Sequence, residues 1–459
     1  MADHDQEVSE QQDNLFYAFA QETLSRLKAL VEPIGGVPEQ MGYNVSFGEE
    51  SSTRTIQTKK DYRKVLLHYQ FQIFLEEEPQ LTELMQQPEP IVSRAVFEFA
   101  IITANRLLLF DIIKDAIERF DTLDLTRDQL IESFHRYRTV WTAPTLRYET
   151  VVPLLNFKSD VRHEVTLGRH LALSPFTPEE KTQAWNSDVD FYPTVKNPIE
   201  FNAFLQSKYK LACIRFQDQK KEYSTEDVNE ELMDVLTALR LTKAGDVGAP
   251  AIFERSELQS RLMMPTATIS RTNDYVVRQS GTEYNITEAE LSQVNKLFVS
   301  LQGLNAQAQR GGLTVALRRF NQAYSRENDE DRIIDLTITL ESCLLAGLSK
   351  ELSYRFILRG AALLSERRDP KETKALLKEI YDNRSSIVHD GKTLLELKKG
   401  SKHDPPDHAA KEFLRQSEEI VRDILREYVI QMASKKLSVK KVNEQLELGI
   451  IERLAPQER

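Results

Sequence analysis

Cysteine is nearly absent: Cys213 and Cys343 are the two in 459 residues, far apart and without partners at metal-site spacing. That scarcity excludes a disulfide framework and a thiolate zinc site, and it fits a reducing, cytoplasmic setting. A long apolar run free of charge is also missing. The most apolar window, residues 95–117, carries Glu98, Arg106, Asp111 and Lys114, so a buried helix is expected there and no membrane span. The opening MADHDQEVSEQQDN is acidic and polar, with no basic segment leading into an apolar one. No secretory signal is therefore read, and residues 1–13 are expected to form a disordered tail. Positive charge is not in excess either. The net charge of −11 excludes a generic nucleic-acid coat. No internal repeat is present, and TKAGDVG (242–248) lacks phosphate-loop spacing, so it reads as a helix stop and turn.

What is present is ordinary for a folded protein: 41% hydrophobic and 29% charged residues, in a chain long enough for two or three domains. Charge is uneven along it. Residues 311–459 hold 27 Lys and Arg against 25 Asp and Glu, whereas residues 1–310 hold 33 against 46. The C-terminal third is thus the part least repulsive to a polyanion.

Three textures divide the chain into an α+β, mainly helical fold. Residues 1–143 read as a mostly helical region, with apolar residues every three or four positions in 61–85 and 91–120 and a hairpin or loop at 42–58. Residues 144–286 read as a mixed α+β domain with a sensing or regulatory role. The segments 147–157, 161–176, 208–216, 250–257 and 267–281 are strand-like, while 177–185 and 229–245 are helical. Residues 287–459 read as a helical bundle. It opens on a capping-box pattern, Thr287 with Glu290, and continues through helices at 313–325, 331–347, 351–366, 370–389 and 407–434.

Two of those helices carry misplaced charges. At about 100° per residue, Ile333, Leu336, Leu340 and Leu344 form a broad apolar face, with Glu341 near its middle. Leu377, Ile380, Ile387 and Val388 form another, and Arg384 falls within it. An unpaired buried charge is costly, so Glu341 and Arg384 are expected to meet. His389 lies about 140° round from Arg384 on a regular helix. Asp390-Gly391 is a helix stop, so His389 is expected where the helix frays, turned toward Arg384 or toward a second copy of the chain.

The phrase NRSSIVHDG (383–391) resembles the R-x(4–6)-H signature of HEPN domains, and its surroundings resemble the ApeA-like branch of that superfamily over residues 313–435. Residues 151–248 resemble the region found N-terminal to such domains. The position after the arginine, often Asn, Asp or His in that family, is Ser385. The resemblance implies a dimeric, metal-independent endoribonuclease of antiviral-defence or toxin type. Arg384 and His389 would be catalytic, Glu341, Asn383 and Ser385 supporting, with RNA as substrate and no cofactor. A histidine can move the 2′-hydroxyl proton, and an arginine can hold the phosphate as charge builds. A phage-derived or protein trigger and no membrane partner belong to the same expectation.

Blander readings stand beside these. Arg384 and His389 can be a charged helix end, with His389 favoured by the C-terminal dipole. The bundle can be a non-catalytic module that binds RNA or a protein. HDPPDH (403–408) looks like a metal cluster, yet Asp407 suits a helix N-cap and the prolines mark a loop, so no metal is expected. His163 and His170 are expected at the surface. The basic stretch 54–64 is expected to be a solvated face.

Overall fold

A computed structural model describes residues 2–37, 39–48, 52–60, 62, 101–141, 145–186, 205–218, 225–249, 252–256, 268–270, 281–306, 311–399 and 405–454. The helical pattern at 63–85, the strand-like residues 271–280, and His403 with Asp404 lie outside them. The described chain is mainly helical with a small antiparallel sheet, an α+β fold. None of its helices is long and apolar enough to cross a membrane.

Helix α1 (Ala2–Val31) starts where a disordered tail was expected. Its polar first half contains good helix formers, and Asp13 and Asn14 anchor it to α3 (Arg127–Trp141). Asp13 lies 2.8 Å from His135, and Arg127 donates to Asn14 at 2.6 Å. Phe16, Ala20, Leu24, Leu27 and Val31 form one face of α1. They share a core with α2 (Ile101–Phe120) and α3, where Phe16 and Phe134 stack at 4.4 Å. The segment read as hairpin or loop is a hairpin, β1 (Glu39–Phe47) paired antiparallel with β2 (Ser52–Lys60). The basic stretch lies on β2 as far as Lys60, and Tyr62 beyond it is buried.

The strand-like residues after 144 form β3 (Thr145–Leu154), β4 (Phe157–Ser159), β5 (Val165–Leu167), β6 (Leu171–Pro175), β7 (Tyr209–Asp218), β8 (Ile252–Ser256), β9 (Thr268–Ser270) and β10 (Tyr284–Ile286). Six make one antiparallel sheet in the order β5-β6-β7-β3-β8-β9, and β10 pairs in parallel with β4. Leu171 and Leu173 of β6 pair with Cys213 and Leu211 of β7, and all four are buried in the core. Helix α4 (Pro178–Asn186) follows a reciprocal box between Thr177 and Glu180. His163 and His170 are exposed.

Helix α5 (Thr225–Thr242) contributes Leu232, Val235, Leu236 and Leu239 to the core of this sheet. Then comes the turn that TKAGDVG predicts. Gly245 has φ +130, and a Cβ there would stand 2.7 Å from the Tyr284 Cα, so glycine is required by the close approach of β10. The Asp246 carboxylate accepts from the Thr282 amide and hydroxyl, which clamps the two segments.

The remaining helices are α6 (Glu288–Ala306), α7 (Gly311–Ala323), α8 (Asp329–Leu344), α9 (Leu352–Leu363), α10 (Pro370–Asp390), α11 (Leu394–Lys398), α12 (Pro406–Lys435) and α13 (Val439–Leu454). The Thr287–Glu290 box caps α6 as its pattern predicts. Asp407 is not the N-cap of α12. Pro405 takes that place and Pro406 the first helical position, because proline lacks the amide that would go unsatisfied there. Asp407 instead pairs with Lys411 at 2.9 Å inside the first turn.

One hydrophobic core runs from Val152 of β3 to Val442 of α13, through both the sheet and the bundle. Fully buried Arg240 of α5 stitches them. It donates to the Val247 carbonyl at 2.9 Å and to Asn321 of α7 at 2.8 Å, with its guanidinium 4.4 Å from the Tyr324 ring centre. Burial pulls its pKa down to about 10. Arg422 of α12 donates to the Arg240 carbonyl at 2.8 Å.

Candidate functional site

Helix α8 begins at Asn328, whose side chain accepts from the Asp331 amide at 3.1 Å. Ile333, Leu336, Leu340, Cys343 and Leu344 are fully buried. Ile334, Ile338, Glu341 and Leu345 form the half-buried stripe beside them. Glu341 is therefore at the edge of the buried face and not at its centre. The wheel misjudged it because partly covered aliphatic residues widen the apparent apolar arc.

Helix α10 is capped by Asp369, which accepts from the amides of Lys371 and Glu372, and has Pro370 in its first turn. Thr373, Leu377, Ile380 and Ile387 make its buried stripe. Arg384 falls on that stripe, between Ile380 and Ile387, as its spacing predicts. The side chain is half-buried, and its Nε is buried without a hydrogen-bond partner. On the preceding turn Tyr381 packs on Phe356 of α9, ring centres 5.3 Å apart. Gly360 lets α9 approach: a Cβ there would stand 2.5 Å from a Leu377 methyl.

The expected Glu341–Arg384 ion pair is not formed. Burial raises the Glu341 pKa, and the Arg384 charge pulls it back by less, acting through space and without a hydrogen bond. Both groups are only half-buried, so water solvates them and direct pairing is not compelled.

Asn383 and Ser385 are half-buried neighbours of Arg384, and the Asn383 Nδ2 is buried without a partner. His389 sits elsewhere. The helix does not fray: it continues through Asp390, and Gly391, with φ 65, closes it by donating to the Ser386 carbonyl. A regular helix holds His389 about 140° from Arg384. His389 is exposed and bonds to no other described residue. Arg384 thus lies on the buried stripe of α10, where its charge acts on Glu341 of α8, with Asn383 and Ser385 flanking it in sequence and His389 facing water.

One buried arginine escaped the sequence reading. Arg359 of α9 is buried and donates to the Leu344 carbonyl at the C-terminus of α8, the helix that carries Glu341. It also bonds Glu447 of α13 at 2.7 Å. Its signal was the one that exposed Arg384, an arginine inside an apolar stripe, here FILRGAALL.

Among the described residues no group of three or more His, Cys, Asp or Glu is placed to hold a metal ion. No family model, curated protein or solved structure matches this chain.

Proposed function

We propose that the chain is a HEPN-type endoribonuclease that works as a homodimer through residues 287–459, in the cytoplasm, in antiviral defence or as a toxin. The observation that carries this reading is Arg384. It is a guanidinium set in an apolar seam, partly open to solvent, with no ion-pair partner among the described residues and an unsatisfied Nε. Such a group is prepared for a phosphate, which it can hold through two parallel hydrogen bonds.

The chemistry needs one more group. The ribose 2′-oxygen attacks the adjacent phosphorus, its proton passes to a base, and the 5′-oxygen leaves with a proton returned to it. The products are a 2′,3′-cyclic phosphate and a 5′-hydroxyl, and DNA lacks the nucleophile. His389 is the proton carrier. Because it faces away from Arg384 in one chain, the working site joins Arg384 of one copy to His389 of another. Residues 144–286 would then receive a phage-derived or protein trigger.

Incubation with RNA in EDTA, reading product ends, tests this. Wild type is expected to leave cyclic phosphates, and Arg384→Ala and His389→Ala none. Equal cleavage by all three sinks the reading. The separation of His389 from Arg384 favours a second reading, a non-catalytic module that binds RNA or protein. It predicts retention of RNA without cleavage.

A further inference from the structure

A groove of about 740 Å³ lies between α6 and α12 and shares no lining residue with the Arg384 seam. Its volume is that of a small-molecule site. The walls are aliphatic: Leu297, Val299 and Leu304 from α6, Ile430 and Ala433 from α12. Val299 is 50% exposed and Ile430 38%, so apolar surface faces water along the groove.

Gly303 adds an independent observation. It lines the groove from within α6, where glycine weakens a helix, and a Cβ built on it meets nothing within 4 Å. Among the described residues neither backbone nor packing calls for glycine there. The space it leaves is space for something else.

The rim states the charge of that occupant. Lys296, Arg367 and Arg426 line the groove, and among the described residues no carboxylate does. Arg367 is neutralised by Glu427 at 2.8 Å and Arg426 by Asp423 at 2.7 Å, but Asp423 is also claimed by Arg368. Lys296 is exposed and has no ion-pair partner among the described residues. The set is net positive. Among the described residues no aromatic ring lines the walls to stack on a flat ligand. The lining runs from Gln293 to Leu304, about 16 Å at the helical rise.

We propose that this groove binds an aliphatic carboxylate, a medium-chain fatty acid lying along α6 with its head at the basic rim. The test is calorimetric titration of the full chain with dodecanoate below its micelle concentration. One saturable site is expected. Lys296→Glu, a surface change, is expected to weaken it about tenfold. Gly303→Leu, which fills open space, is expected to abolish it while circular dichroism shows the fold retained. Dodecyltrimethylammonium, the same tail with the opposite charge, is expected not to bind. Absence of saturable dodecanoate binding to wild type, equal binding of both amphiphiles, or binding unchanged in both variants overturns the proposal. The readout is binding, so it stands or falls apart from RNA cleavage.

Discussion

Glu341 is the residue whose behaviour separates a bonded pair from a near neighbour. Burial raises its pKa above the ordinary 4.5, so the folded chain holds that proton more tightly than the unfolded chain. From the unfolded value up through the raised one, the folded state carries more protons, and stability falls as pH rises across that window. Glu341→Gln is expected to flatten this slope. Near neutral pH it should shift stability by less than about 1 kcal/mol, or increase it, because a half-buried, unbonded charge contributes little. A buried, bonded pair losing one member would cost about 3–5 kcal/mol. Urea unfolding of both forms across a pH series that starts at the ordinary carboxylate pKa and runs upward gives the slopes directly. His389→Ala belongs to the same scale. An exposed side chain without partners among the described residues should change stability by no more than about 0.5 kcal/mol, so lost cleavage in that variant would report chemistry and not folding.

At the scale of elements, α10 is held by its two ends. Asp369→Ala removes the acceptor for two amides and should cost about 1 kcal/mol. Gly391→Ala forces a side chain into the left-handed region, at a similar cost of about 1 kcal/mol. Melting temperatures check both, and amide exchange in the last turn should rise in the second. Helix α13 is docked by polar contacts. Arg359 and Arg355 meet Glu447, while Asn443 bonds Tyr428 and the Cys343 carbonyl. Arg359→Ala is expected to cost about 2 kcal/mol or more and to speed exchange along α13. That style of docking fits why α13 was not visible beforehand: Val439 and Val442 face the core, but Leu448 and Ile451 are exposed, so its apolar residues trace no single stripe. The helices α5, α6, α8, α10 and α12 bury continuous stripes and were legible from spacing alone. In the site, spacing placed Arg384 correctly. A wheel gives direction and not depth, so it overstated the burial of Glu341 and gave no distance between helices. The side on which His389 falls depends on where the helix stops, and the glycine cap keeps it regular one residue past the histidine.

For the whole molecule, the common core of sheet and bundle sets the unit of folding. A fragment starting at Thr287 would expose the faces of α6 and α12 that share a core with Leu232, Leu236 and Leu239. It would also strip Arg240 from Asn321 and Tyr324. Such a fragment is expected to lack near-ultraviolet dichroism and to unfold without a sharp transition, whereas the full chain keeps both. The dimer reading has its own test at this scale. Mixed Arg384→Ala and His389→Ala chains should regain cleavage, since one site of the hybrid then holds an intact arginine and an intact histidine from different copies. If each chain needs both residues in cis, the mixture stays inactive. On the proposed reading, the net charge of −11 repels RNA, and its capture is expected to depend on the less acidic residues 311–459.

Among the described residues, the Arg240 guanidinium bonds to uncharged groups: a carbonyl, an amide oxygen and a ring face. Mobile ions weaken attraction between exposed charges but reach a buried guanidinium and its dipoles hardly at all. Concentrated salt therefore dissolves the outer lattice of ion pairs while sparing the joint between sheet and bundle, and the chain should stay in one piece in brines that loosen its surface.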